Sequence, residues 1–355
     1  MYDPDVVKSV VKKWRRLLPK VTPFFAVKAN PSPLLLQTLF KMGVSFDCAS
    51  PKEISTIKAL FPDGAWDPSK VIFAHPIKTR HSIEFAVSLG IDLFVVDSLS
   101  ELDNFSAEDR AAIVLRIDTS DSTAQCVLAS KYGAPAEEWR EIATRARELG
   151  LRIAGVSFHV GSGAQRLDTY RVAICDARRC FDVLAECGHD DACVLDLGGG
   201  YVSRKFDECA RIITLALAEN GFDDGRKYTV IAEPGRLFCA DAFTLYTPIL
   251  NIKRNSVVIA DSVYGSFNCI QNDHFQPEPL FNENDGPSKR RVTLFGSTCD
   301  GGDIIQRDFL MPESKIQLGA TICWPKMGAY TLTSASNFNG LQFADMPVET
   351  LKFAK

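Results

Sequence analysis

The stretch Pro23-Phe24-Phe25-Ala26-Val27-Lys28-Ala29-Asn30 (PFFAVKAN) decides the fold. Phe24 to Val27 form a continuous apolar run, the pattern of a strand buried on both faces. A lysine follows where that strand ends, and a cation is costly to bury without a partner. Seven further runs share the design: SFDCAS (45–50), VIFAHP (71–76), LFVVDS (93–98), AIVLRID (112–118), IAGVSFHVGS (153–162), CVLDLGGG (193–200) and YTVIAEPGR (228–236). Each is short and apolar. Each carries a polar or charged residue near its C-terminal end: Lys28, Asp47, His75, Asp97, Arg116, His159, Asp196 and Glu233. Helical patterns at 33–42, 52–60, 79–89, 136–149 and 168–187 lie between them. Strand–helix alternation with continuous apolar strands predicts a parallel sheet covered by helices. Eight such units predict a (β/α)8 TIM barrel, in which the C-terminal strand ends build the active site. Lys28 then stands on the catalytic rim. A doubly wound open sheet is the competing architecture, and eight consecutive units with polar rim residues suit closure better.

After Arg236 the texture changes. Short β-rich runs appear at FTLYTPIL (243–250), SVVIADS (256–262), RVTLFGS (291–297) and ATICWPKMGAYTL (320–332), and NENDGPSK (282–289) reads as an exposed loop. The expected organisation is therefore a barrel over 1–240 and a mostly antiparallel β domain over 241–355. Of the 355 residues, 46% are hydrophobic and 24% charged, as in ordinary soluble globular proteins. The net charge of −4 argues against a nucleic-acid or anionic-membrane partner. No apolar run reaches the ~18 residues of a membrane span. The eleven cysteines are scattered without a CxxC pair. They read as reduced thiols of a cytoplasmic protein, most of them small core residues rather than zinc ligands. Val6, Val7, Val10, Val11, Trp14, Leu17 and Leu18 follow helical spacing, which predicts a surface helix leading into the first strand. Asp3 and Asp5 count against a transit peptide.

The rim residues suggest a chemistry. Gly198-Gly199-Gly200 follows the seventh strand and Gly235-Arg236 the eighth, where barrels of this type commonly bind phosphate. Glycines let backbone N–H groups approach an anion closely. Pyridoxal phosphate needs a lysine for a Schiff base, a phosphate loop, an acid for the pyridine nitrogen and a flat group on the ring face. Lys28, Gly198–Gly200, Glu233 and His159 fill those roles in that order. Each has a bland reading: a turn, a satisfied structural histidine, a turn carboxylate, a snorkelling surface cation. Their joint occurrence on the ends of one barrel is what those readings leave unexplained. No GxGxxG follows a strand, and the five histidines show no ligand spacing, so dinucleotide and metal sites are disfavoured.

PFFAVKAN, FDCAS, SFHVGSG, LDLGGG, AEPGR, VYGSFNC, TCDGGD and MGAYT occur in this order along nearly the whole chain. They resemble the fold-III pyridoxal-phosphate-dependent decarboxylases of basic amino acids, and most of all the ornithine decarboxylases of eukaryotes and viruses. The resemblance implies a barrel plus a β domain, and a head-to-tail homodimer with shared active sites. It implies that Lys28 carries the cofactor, with Asp47 and Glu53 supporting it. Arg116 would line the site, His159 stack on the ring and Glu233 bind its nitrogen. Ser162, Gly198, Gly199, Gly200, Gly235, Arg236 and Tyr330 would hold the phosphate. From the partner chain, Cys299 would return a proton to the substrate α-carbon, and Asp300 and Asp273 would bind the distal ammonium. Tyr264 and Phe338 would wall the pocket and the interface. The bland alternatives are a core cysteine for Cys299 and a solvated loop acid for Asp273.

Two carboxylates suit a cationic chain end. The viral arginine decarboxylases that this chain resembles place Glu where Asp273 stands, and diaminopimelate decarboxylases need an extra cation that has no match near 273. The implied reaction is therefore decarboxylation of L-ornithine to putrescine in polyamine biosynthesis, with lysine and then arginine as the alternative substrates. Relatives carry a few dozen residues ahead of the point where this chain begins. Another segment is expected to complete the β domain, or the gene model is short. Gly302 and Asn272 depart from the bulkier residues of relatives and are expected to loosen specificity. A non-catalytic regulator resembling antizyme inhibitors, and an amino-acid racemase with a second-face base, are the rival readings. An antizyme-like regulator is a conceivable partner. Retention of Lys28, His159, Glu233, Cys299 and Asp300 counts against the regulator. His75 and Asp97 receive no role from the sequence.

Overall fold

The computed structural model describes residues 1–119, 125–126, 131–224, 227–282, 285–343 and 347–351. It divides into two compact units that interleave along the chain. One is Lys8–Lys28 with Leu36–Leu237; the other is Met1–Val7, Ala29–Leu35 and Phe238–Lys355.

The first unit carries β1 (Val21–Ala26), β2 (Ser45–Cys48), β3 (Val71–Phe73), β4 (Leu93–Val96), β5 (Ala112–Arg116), β6 (Arg152–Ser157), β7 (Val194–Asp196) and β8 (Thr229–Ala232). All eight pair in parallel, in chain order, as a closed barrel. Closure runs from β8 back to β1 through Val21↔Val230, Thr22↔Ile231 and Pro23↔Ala232, which excludes the open doubly wound sheet. Phe24, Ile72, Val95, Val114 and Ile231 fill the barrel interior from different strands, as layered packing in such barrels requires. Helices α1 (Pro4–Leu17) and α2 (Pro33–Lys41) flank β1 in the chain. After β2 come α3 (Pro51–Lys58), α4 (Arg80–Ser88), α5 (Leu99–Leu102), α6 (Trp139–Glu148), α7 (Asp168–Glu186) and α8 (Phe206–Glu219), one behind each strand. In α7 the buried residues Tyr170, Ala173, Ile174, Ala177, Cys180, Phe181 and Leu184 recur at helical spacing and form its inner stripe. Trp14, near the end of α1, donates Nε1–H to Val21 O (2.9 Å) and stacks on Phe206, tying helix to barrel.

The loop behind β3 contains a buried ion pair. Lys78 Nζ meets Glu101 Oε1 at 2.8 Å, and both side chains are almost wholly inaccessible. The ammonium also donates to the carbonyls of Val95 (2.7 Å), His75 (3.0 Å) and Pro76 (3.2 Å). Burial lowers the Lys78 pKa, and Glu101 opposes that shift. Glu101→Ala leaves the cation buried and unpaired, so we expect a loss of ~3–5 kcal/mol in chemical denaturation. A loss below ~1 kcal/mol would show that the carbonyls alone suffice.

The second unit is built on a five-stranded sheet of β9 (Leu245–Lys253), β10 (Ser256–Ile259), β11 (Lys289–Phe295), β12 (Ile304–Pro312) and β13 (Thr321–Trp324), in the order β12-β11-β10-β9-β13. Every pairing is antiparallel except β10 with β11. Leu245, Ile249, Val257, Ile259, Val292, Leu294 and Trp324 form its core. The unit also draws in the chain start: Tyr2 makes a parallel bridge to Thr350 and an antiparallel one to Phe243.

Three expectations need correction. Strand β12 does not appear in the sequence pattern, because the polar pair Arg307-Asp308 interrupts its alternation and Asp308 sits at φ +49°. The run 320–332 is a strand only over Thr321–Trp324, since Pro325 and the left-handed Lys326 (φ +62°) turn the chain away. Cysteines are less often core residues than expected. Cys48, Cys180, Cys209, Cys239 and Cys269 are buried, whereas Cys126, Cys187, Cys193 and Cys323 are partly accessible and Cys175 and Cys299 exposed. Among the described residues no helix is long and apolar enough to cross a membrane.

Candidate active site

Lys28 lies in a single 3-10 turn, Val27–Ala29, directly after β1. Its ammonium pairs with Asp47 Oδ2 on the adjacent strand β2. The lysine side chain is 41% exposed while that of Asp47 is wholly buried, so the pair opens toward the rim. The other carboxylate oxygen, Asp47 Oδ1, is buried without a hydrogen-bond donor. Glu53 sits in the first turn of α3, where Ser50 Oγ caps the helix by accepting from Glu53 N (3.2 Å). The Glu53 carboxylate accepts from Ala49 N (2.6 Å), and burial raises its pKa. Glu53 thus holds the turn between β2 and α3.

Across the barrel, His159 follows β6. Its Nδ1 accepts from Gly161 N–H (3.0 Å), which leaves the remaining ring proton on Nε2. Burial, then the cations Arg116 and Lys28, hold its pKa well below the usual imidazole range. The ring is therefore neutral and flat. Thr119 Oγ1 fixes the backbone by donating to His159 O (2.8 Å).

The triglycine packs against this histidine. A Cβ on Gly199 would stand 2.7 Å from His159 Nε2 and 3.1 Å from Glu233 O. A Cβ on Gly200 would meet Tyr170 Oη at 2.7 Å, and Gly198 (φ +59°) abuts the Phe158 carbonyl. Close packing alone demands glycine here. Beyond the loop, Arg236 at the start of α9 (Arg236–Cys239) donates from Nη2 to Ser162 Oγ (3.0 Å), placing a guanidinium and a hydroxyl together. Gly235 is buried beside it in the chain.

Glu233 follows β8 and is buried. Burial, then the charges of Asp196 and Asp47, push its carboxyl well above the usual range. Arg116, at the end of β5, lies with its guanidinium carbon 4.9 Å from the Tyr132 ring centre. Its charge is felt by Glu233, Asp97, Asp196 and Tyr132.

The second unit holds a separate group. Tyr264 Oη donates to Asp300 Oδ2 (2.8 Å), and Gly302 N donates to Asp300 Oδ1 (2.8 Å). The Gly302 N–H and then the Tyr264 hydroxyl lower the Asp300 pKa. The Tyr264 and Phe338 rings stack at 4.2 Å. Cys299 is exposed and anchored by its N–H on Asn339 Oδ1 (3.1 Å), which removes the core-cysteine reading. Asp273 ends the short helix α10 (Cys269–Asn272) and is 4% exposed, so it is no solvated loop acid. Tyr330 adopts φ +55° and donates its N–H to Ala29 O (2.9 Å).

Sequence reasoning missed Tyr132 and left Asp97, His75 and Asp196 unused. Asp97 Oδ2 accepts from Gly133 N (3.0 Å), so it pins the loop that carries Tyr132. His75 meets the Tyr132 ring edge-on at 6.2 Å. Gly133 has φ +102°, and a Cβ there would come within 2.6 Å of Asp118 Cα, so only glycine lets this loop lie on the end of β5.

Does this rim suit pyridoxal phosphate? An accessible amine, a neutral flat ring, a glycine loop next to an arginine–hydroxyl pair, and the buried Asp47 carboxyl with its donorless Oδ1 all fit the group. Residues 5–240 match the family model described as pyridoxal-dependent decarboxylase, pyridoxal binding domain. The chloroplastic ornithine decarboxylase of Nicotiana glauca is 37% identical over 95% of this chain and 80% of its own length. Among solved structures, the Paramecium bursaria Chlorella virus arginine decarboxylase aligns with a TM-score of 0.90 and 31% identity, over 99% of this chain and 95% of that one. The lysine/ornithine decarboxylase from Vibrio vulnificus, complexed with putrescine, aligns with a TM-score of 0.85 and 30% identity, over 99% and 92%.

Proposed function

Since the chain belongs to the pyridoxal-dependent decarboxylases, we propose that it converts L-ornithine to putrescine and carbon dioxide with pyridoxal phosphate as cofactor. The observation that carries this reading is the Lys28–Asp47 pair at the mouth of a closed barrel, in a chain 37% identical to an ornithine decarboxylase. It is a carboxy-lyase of polyamine formation.

Lys28 would hold the cofactor's carbonyl carbon, and Asp47 positions the amine for that contact. Ser162, Gly198–Gly200, Gly235, Arg236 and Tyr330 would bind the phosphate. His159 would cover one ring face as a neutral plate, adding no charge. When bound, pyridoxal phosphate supplies the electron sink that takes up the electron pair of the broken Cα–carboxylate bond. Glu233 would hold a proton at the ring nitrogen, and Arg116 offsets the surrounding carboxylates. Cys299 would deliver a proton to the α-carbon as the C–C bond is lost, so one proton is consumed for each carbon dioxide released. Asp300 and the buried Asp273 would hold the distal ammonium, and Tyr264 and Phe338 would wall its channel.

Exposure of Cys299 and Phe338 supports a head-to-tail homodimer in which a second copy brings these residues to the Lys28 rim. A cytoplasmic location accords with eleven scattered cysteines that form no CxxC pair.

The test is product analysis with the purified holoenzyme offered ornithine, lysine, arginine and diaminopimelate in parallel. Putrescine is expected as the main amine. Cadaverine or agmatine in excess would overturn the substrate assignment. An enantiomer with its carboxylate intact would replace decarboxylation by racemisation.

A further inference from the structure

Asp196 has no place in the assignment above, yet it is the most enclosed carboxyl on the rim. It closes β7, is wholly inaccessible, and accepts from Gly198 N–H through Oδ1 (2.9 Å). Its Oδ2 is buried without a donor. Glu233 stands just beyond β8, the neighbouring strand, which pairs with β7 through Asp196↔Ile231. The Glu233 N–H donates to Gly198 O (2.8 Å). Gly198 therefore grips Asp196 with its N–H and the Glu233 backbone with its carbonyl. The two carboxyl side chains are hydrogen-bond partners of each other.

Two carboxylates cannot hydrogen-bond without a proton between them. The charged and titratable groups facing the pair are the Asp47 anion from β2, the Arg116 cation from β5, the Lys28 cation from the turn after β1 and the Tyr201 phenol. We infer that Asp196 is a positioning residue, which shares a single proton with Glu233 and so fixes the orientation and basicity of the Glu233 carboxyl. Only the statement that Glu233 faces a ring nitrogen rests on the proposed function; the shared proton does not.

Burial raises the Asp196 carboxyl to about 6, and burial, then the charge of Asp196, push Glu233 well above the usual carboxylate range. Both groups then bind protons more tightly folded than unfolded. That contribution is full below the ordinary carboxylate range. It is lost as pH rises through the folded-state values, from near 6 upward. One proton held only by the folded state changes the unfolding constant tenfold per pH unit.

The experiment is chemical denaturation of the full chain without cofactor across pH 5.5–8.5, for wild type, Asp196→Asn, Glu233→Gln and the double variant. In each single variant the new amide donates to the remaining carboxylate, which no longer needs a proton. Each is expected to lose the tenfold-per-unit slope, and the double variant to lose no more than either alone. Glu233→Gln gives the same reading should Asp196→Asn fail to fold. A wild-type slope in either single variant, or additive losses in the double, would overturn the shared proton. A parallel titration with pyridoxal phosphate is expected to show about tenfold weaker binding in Asp196→Asn. Flattened slopes in the single variants, together with a folded wild type that binds no pyridoxal phosphate, would keep the shared proton and overturn the cofactor reading.

Discussion

Lys28→Ala is expected to lower kcat for ornithine by more than ~10^3-fold, a loss of the size that follows removal of a group on which the whole reaction unit depends. Lys28 is the amine that pairs with Asp47 at the end of β1. Its removal strips the buried Asp47 carboxylate of its cation, so some loss of stability accompanies the loss of turnover. Lys28→Arg separates the two effects. The guanidinium keeps the ion pair with Asp47, but it stays protonated and cannot act as a nucleophile. That variant is expected to unfold near the wild-type midpoint while remaining as inactive as the alanine variant. Turnover above a tenth of wild type in either would remove Lys28 from the mechanism.

Cys299→Ala is expected to cost ~10^2–10^4-fold in kcat, the usual contribution of a positioned proton donor. KM should hold within about threefold, because the alanine variant keeps Asp300 with both its donors, Tyr264 and Gly302. Stability should move by less than ~0.5 kcal/mol, since the side chain is exposed and the loop is held by the backbone contact to Asn339. Cys299→Ser keeps a weaker proton donor and should fall between wild type and alanine. Equal activity in all three would leave protonation to another group.

The barrel was legible because its strands are buried on both faces, so apolar runs such as PFFAV and AIVLR stand out. Their polar terminal residues were equally visible, since a barrel has one functional end. The β unit was harder to read. Strand β12 hides behind Arg307-Asp308, and β13 is four residues long, so alternation is too short to register. The site divided in the same way. Lys28, His159 and Glu233 were singled out from strand position and residue type. Asp196 was seen but given no work, because its importance comes from the approach of β7 and β8 around Gly198. Tyr132 was invisible, since it is placed by a loop whose anchors, Asp97 and Gly133, are 36 residues apart in the chain. The roles of Cys299 and Asp273 came from resemblance, not from pattern.

The interleaving of the two units bears on how the chain is made. The barrel unit is almost continuous from Lys8 to Leu237 and can begin to form while the rest is still being synthesised. The β unit cannot. Tyr2 waits for Phe243 and Thr350, and Met1 for the carbonyl of Thr244. At ribosomal speeds those first residues stay unpaired for roughly tens of seconds. Closing so long a loop is entropically slow and leaves strand edges open in the meantime. A fusion or tag at Met1 is therefore expected to disturb the maturation of the distant C-terminal sheet before it disturbs the barrel whose first helix it adjoins.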